Sequence, residues 1–119
     1  HQNDPLGCSI AKEVIAIFRE EDWVEKGNAK GQYFLDGLKQ LEKKHALVKE
    51  ARGRGMELAL EFHPRFSATS AYHALLVKGF LVGYYPAGNI LRFDPALTIE
   101  QEDITNLLEC LGVMLESVN

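Results

Sequence analysis

The chain has 119 residues, 46% of them apolar and 25% charged, with 13 Lys+Arg against 17 Asp+Glu for a net charge of −4. That suffices for one domain and excludes the disordered, collagen-like and disulfide-scaffold classes, while the mild acidity argues against a nucleic-acid surface, which needs clustered Lys and Arg. No apolar run reaches the roughly 18–20 residues of a membrane span, and no basic, apolar leader opens the chain, so the expectation is a cytoplasmic protein with neither nucleic-acid nor membrane partners.

Asp4-Pro5 predicts a helix start: a capping carboxylate, then proline at the first helical position, where its missing N–H is not needed. Leu6, Ile10, Val14 and Phe18 recur at helical spacing beside Ala11 and Ile15, and the run ends in Arg19-Glu20-Glu21-Asp22. Asp22 predicts the cap of a second helix, with Glu25 completing a capping box. The apolar stripe of that helix is Val24, Gly27, Gly31, Phe34 or Leu35, Leu38 and Leu41. Glycine gives up about 1 kcal/mol of helix propensity, so close approach to another element is expected at Gly27 and Gly31. The alternative is a weak helix with a break near Gly27.

Beyond Leu47 the period changes to two. Residues 48–52 read as a short extended run and Arg52-Gly53-Arg54-Gly55 as a turn. Met56, Leu58, Leu60 and Phe62 form the inner side of a half-buried strand that His63-Pro64 ends. Ala68, Ala71, Tyr72, Leu75 and Leu76 predict a third helix, stopped by Gly79. A strand over 80–85, a turn at Pro86-Ala87-Gly88-Asn89 and a strand over 90–93 follow, broken at Asp94-Pro95. Glu100, Glu102 and Asp103 suit the positive end of the last helix, with Ile104, Leu107, Leu108, Leu111, Leu115 and Val118 as its buried stripe. The order α-α-β-β-α-β-β-α predicts an α+β fold of one sheet with helices on one face. The first helix is the member least tied to the rest.

Little of this carries chemistry. His1, His45, His63 and His73 have no metal-ligand spacing and read as surface or edge residues. Cys8 and Cys110 sit in apolar helical patterns and read as two buried free thiols, with a disulfide as the alternative. Gly53-Arg54-Gly55 does not continue into a dinucleotide fingerprint, and Arg52 and Arg54 fit a tight turn better than an RNA-binding segment. Arg92 is the exception. It stands in the short apolar run Ile90-Leu91-Arg92-Phe93, where a guanidinium needs an anionic partner. That partner is either an internal carboxylate or a ligand's carboxylate or phosphate.

Three segments in order carry a resemblance: Asn3-Asp4-Pro5-Leu6-Gly7; Ala51-Arg52-Gly53-Arg54-Gly55-Met56 leading into Leu58-Ala59-Leu60-Glu61-Phe62; and Leu91-Arg92-Phe93-Asp94-Pro95-Ala96-Leu97-Thr98-Ile99 with Glu102-Asp103-Ile104. Together they resemble the C-terminal part of class III aminotransferases, the pyridoxal-phosphate enzymes that include ornithine, acetylornithine, putrescine and 4-aminobutyrate aminotransferases and dialkylglycine decarboxylase. The resemblance implies the small C-terminal domain of a fold-type-I enzyme, with a sheet of three or four strands, over residues 23–119. Residues 1–22 would be the helix linking it to an absent large domain. An opening His1 in place of Met suits a processed chain, a fragment or a missing start.

By the same resemblance, the Schiff-base lysine and the aspartate facing the pyridine nitrogen lie upstream. None of Lys12, Lys26, Lys30 or Lys39 stands in that lysine's motif, so this stretch alone is expected to bind no cofactor and to be inactive. Arg92 matches the arginine that binds the substrate α-carboxylate, and Arg52 with its glycines matches a structural turn. His1, Gln2 and Asn3 match the stretch near the partner subunit's cofactor in a homodimer. Asp94 stands where a small residue is usual and Ala96 where a second proline is common, and Asp94 shares the strand face of Arg92 if the strand runs that far, where it could neutralise the arginine. The implied activity moves an amino group between an amino acid or amine and a 2-oxo acid. Decarboxylation or racemisation on the same cofactor is the same-fold alternative, and a non-catalytic binding or dimerisation module the alternative of another class.

Overall fold

The computed structural model of the protein describes residues 2–118. Helices α1 (Pro5–Glu20) and α2 (Trp23–Lys44) are followed by β1 (Val48–Arg54), β2 (Glu57–Phe62), α3 (Ala68–Val77), β3 (Gly83–Tyr85), β4 (Ile90–Phe93) and α4 (Gln101–Glu116). The strands form one antiparallel sheet in the order β1-β2-β4-β3. Ala51, Leu58, Leu60, Phe62, Leu91 and Phe93 point to one face and are buried with Phe34, Leu38 and Leu41 of α2, Ala71 and Leu75 of α3, and Ile104, Leu107, Leu111 and Leu115 of α4. All helices of the core therefore cover one face, as the α+β reading expects. The other face is open and carries Arg52, Ala59, Glu61 and Arg92.

The Asp4 carboxylate caps α1, accepting from the N–H groups of Leu6 and Gly7 at 3.3 and 3.0 Å. No residue of α1 is buried, and its apolar stripe faces outward, with Leu6 68% and Ile10 57% exposed. The radius of gyration, 16.9 Å, exceeds the roughly 13–14 Å of a compact chain this long because α1 projects from the core. Asp22 corrects the expected capping box. It takes a left-handed conformation (φ 52°) and its side chain caps nothing, because its role is to turn the chain between α1 and α2.

Two further boundaries differ from the sequence reading. The β1–β2 turn is Gly55-Met56, since Arg54 already pairs with Glu57 and Gly55 supplies the positive φ of 58° that a two-residue hairpin needs. The strand expected over 80–85 begins only at Gly83. Phe80 is held by the end of α3: its N–H donates to Leu75 while the Gly79 N–H donates to Leu76, a Schellman cap built on Gly79 at φ 89°. Val24, Leu76 and Val118 are exposed rather than buried. So is Cys8, and Cys110 is half-buried; both are free thiols. His45 is the reverse case. It is buried at the C-terminal end of α2, where its N–H donates to Leu41 and its carbonyl accepts from Val48. His63 and His73 are exposed.

Both stripe glycines mark close approach, and the two differ in kind. A Cβ at Gly31 would land on the Gly55 carbonyl oxygen, where α2 crosses the hairpin turn. At Gly27 it would meet only the flexible tip of Leu97. Gly31→Ala should therefore destabilise by about 1–3 kcal/mol through a backbone clash. Gly27→Ala should be near neutral, since about 1 kcal/mol of helix propensity offsets a movable contact. Thermal unfolding of the two variants side by side checks this, and equal losses would refute it.

Glu42 ties α2 to β1. Its carboxylate accepts from the Ala51 N–H at 2.6 Å and from Lys39 at 3.1 Å. These bonds, the Ala51 N–H first, hold its pKa below the ordinary glutamate value. A depressed folded pKa gives stability that is present above the ordinary carboxylate range and is lost as pH falls through the lower folded value. Glu42→Gln should cost about 1 kcal/mol near neutral pH, and the gap to wild type should close in denaturant titrations near pH 3. A gap that persists in acid would contradict this account.

Candidate functional site

The open face of the sheet is built by register. Arg52 on β1 pairs with Ala59 on β2, Ala59 with Arg92 on β4, and Arg92 with Gly83 on β3. Two arginines thus share one row, with a small side chain between them. They are occupied differently. One terminal nitrogen of Arg52 donates to both Glu50 and Glu61 at 2.8 Å, and Glu61 also accepts from Lys49 at 2.8 Å. The Glu61 bond is the largest cause holding the Arg52 pKa above its ordinary value, and the bonds from Lys49 and Arg52 hold Glu61 below its own. Arg52 is spent inside the sheet, in line with a structural role.

Arg92 has a single acidic partner. One terminal nitrogen donates to the Tyr85 hydroxyl at 2.6 Å and the other to the Asp94 carboxylate at 3.0 Å. The guanidinium also lies 5.5 Å from the centre of the Tyr85 ring. Its Nε is buried and has no hydrogen-bond partner. The pair is open to water: the Arg92 side chain is 38% exposed and that of Asp94 51%. Of the two partners expected for Arg92, the internal carboxylate is present, and it does not bury the charge. Asp94 also lines a cleft of about 330 Å³ with Phe34, Phe80, Val82, Phe93 and Pro95 at the end of β4.

Tyr85 is the member that sequence reading missed. Its only signal is a tyrosine at the end of a predicted strand, and its approach to Arg92 depends on the pairing of Tyr85 with Ile90 across the β3–β4 hairpin. Of the other expected site residues, His1 lies outside the described residues. Gln2 and Asn3 are exposed in the turn before α1, and neither forms a hydrogen bond to Arg92, Tyr85 or Asp94. Among the described residues no group of His, Cys, Asp and Glu could hold a metal, and no helix is long and apolar enough to cross a membrane.

A family model described as aminotransferase class-III matches residues 1–115. Among curated relatives, the acetylornithine aminotransferase of Caldanaerobacter subterraneus subsp. tengcongensis is 33% identical over 97% of this chain and 29% of its own length. The ornithine aminotransferase of Bordetella pertussis is 33% identical over 85% of this chain and 24% of its own. The solved acetylornithine aminotransferase of Elizabethkingia anophelis superposes with a TM-score of 0.81 at 25% identity, covering 95% of this chain and 29% of that one. A transaminase structure with a TM-score of 0.84 is 26% identical over 96% of this chain and 29% of its own. The chain spans less than a third of the length of the relatives it matches. The sheet with one helical face and the match from residue 1 to residue 115 agree: the chain belongs to the class-III aminotransferase family.

Proposed function

We propose that the complete protein is a pyridoxal-phosphate-dependent aminotransferase that moves an amino group between an amino acid or amine and a 2-oxo acid. In this reading residues 1–22 link to a large domain, residues 23–119 are the small domain, and the enzyme works as a cytoplasmic homodimer. The exposed stripe of α1 supports the domain division, because an apolar helix face of that size is suited to burial against further protein. The observation that carries the functional reading is the half-exposed Arg92 on the open face of the sheet in a chain of this family.

Arg92 fits the substrate end of the reaction. Its planar fork can take a carboxylate by two parallel bonds, which fixes the orientation of the substrate as well as balancing its charge. Orientation matters because Arg92 would fix which bond at Cα the substrate presents to the cofactor. Pyridoxal phosphate, when bound, supplies the electron sink. Four of the chain's eight lysines are engaged with other groups: Lys30 donates to the Leu97 carbonyl, and Lys39, Lys44 and Lys49 pair with Glu42, Glu116 and Glu61. None of these four is hydrogen-bonded to the Arg92 cluster. By the family resemblance, the cofactor's anchors lie in the large domain, with Gln2 and Asn3 near the cofactor of the partner subunit.

The complete protein should transfer an amino group from an amino acid to a 2-oxo acid only with pyridoxal phosphate, and the 119-residue chain alone should not. Assays of both with and without the cofactor test this. A complete protein that binds the cofactor and moves no amino group under any donor would favour the decarboxylase or racemase reading. A complete protein with no cofactor binding would favour the non-catalytic module.

A further inference from the structure

The arrangement around Arg92 is an incomplete version of what a guanidinium makes with a carboxylate. Asp94 sits just past the end of β4, two residues beyond Arg92, and from there it reaches one terminal nitrogen only. Nε stays without a partner, so the parallel two-bond geometry is not formed. Across the row, the Arg92 side chain lies over Gly83 of β3, where a Cβ would meet the Arg92 Cβ and Nε at ordinary contact distances of 3.4 and 3.5 Å. Tyr85 then receives the far end of the side chain. Arg92 is thus folded back on its own hairpin, held by one hydroxyl and one carboxylate, with both charged partners in reach of water.

We infer that Asp94 is a specificity-determining residue of this site: an internal carboxylate that holds Arg92 in the absence of substrate and that an incoming carboxylate must displace. The inference rests on the reading of Arg92 as the carboxylate anchor. An exposed pair of this kind is weak, so displacement costs little, but it burdens only those ligands that bring a carboxylate. An amine without one leaves the Arg92–Asp94 pair in place and meets a carboxylate beside the guanidinium. Asp94 therefore tilts the enzyme away from amino acids and toward simple amines. Being half-exposed, it has solvent to turn to when displaced.

The test uses the complete enzyme with Asp94→Asn, which keeps the shape, and Asp94→Ser, which also removes the reach. For both, the ratio of kcat/KM for an amino acid to that for a simple amine should rise about two- to fivefold, the range expected from an exposed pair. Calorimetric binding of propionate, a carboxylate with no amino group, should tighten by the same factor. In an Arg92→Ala background the Asp94→Asn change should have no effect on propionate. If Arg92→Ala weakens propionate binding and Asp94→Asn does not strengthen it, the inference is overturned while the role of Arg92 stands. If Arg92→Ala leaves propionate binding unchanged, the anchor reading falls and the inference falls with it.

Discussion

Arg92→Ala in the complete enzyme is expected to reduce kcat/KM for an amino acid about tenfold to a hundredfold while a simple amine is little affected, because a charge-assisted pair contributes roughly 1.5–3 kcal/mol. The lower half of that range is favoured by geometry: Arg92 is half-exposed and already shares its charge with Asp94, so part of the gain on binding substrate replaces an existing bond. Arg92→Lys separates charge from shape. A lysine keeps the positive charge but offers a point donor in place of a planar fork, and so loses the parallel bonds that set orientation. It should bind the amino acid better than Arg92→Ala does and still turn it over more slowly than wild type. Equal losses for amino acid and amine would mark Arg92 as structural, a brace between β4 and the Tyr85 end of β3.

Which parts of this site could be read from the chain follows from how local each signal is. Arg92 stands out because a charged residue in a four-residue apolar strand is anomalous without any tertiary knowledge, and Asp94, one residue past the strand's end, is near it in sequence. Tyr85 becomes a partner only through the β3–β4 register, which depends on how the chain turns through Pro86–Gly88. The same distinction runs through the fold. Helices α2, α3 and α4 carry long apolar periods that tertiary packing reinforces, and they lie where the periods place them. The stripe of α1 is equally periodic, yet the described residues bury none of it; period alone says which residues seek burial, not what they are buried against. The hairpin turn lies two residues later than its Gly-Arg-Gly pattern suggests. Gly53 is needed there for space, since a Cβ would strike the backbone of Glu57 and Leu58, as well as for its φ of 153°, whereas Gly55 makes the turn. Glycines serving clearance and glycines serving conformation look alike in a sequence.

Asn89→Ala should be among the most destabilising single changes in the chain, at about 3–5 kcal/mol, or roughly 10–20 °C in the thermal midpoint. In the sequence Asn89 is one turn residue among four. In the fold it joins three elements. Its backbone is left-handed at φ 54°, which closes the turn into β4 and which asparagine tolerates better than residues other than glycine. Its carbonyl accepts from the Phe62 N–H at the end of β2. Its side-chain amide donates to the carbonyls of Phe66 at 2.7 Å and of Phe62 and His63 at 3.2 Å, and its side-chain oxygen accepts from the Ala68 N–H, 2.8 Å away, at the start of α3. One side chain therefore satisfies the loop from β2 into α3 and one of the unpaired donors of the helix, and it holds that loop against the strand bearing Arg92. Asn89→Gly separates the contributions: it removes the backbone strain that alanine would suffer but none of the lost bonds, so it should recover about 1 kcal/mol and no more. Asn89→Asp should fare no better than alanine. It keeps the acceptor for Ala68 but turns a donor into a carboxylate facing three carbonyl oxygens. If Asn89→Asp unfolds at the wild-type temperature, the amide bonds to residues 62–66 do not hold this junction together.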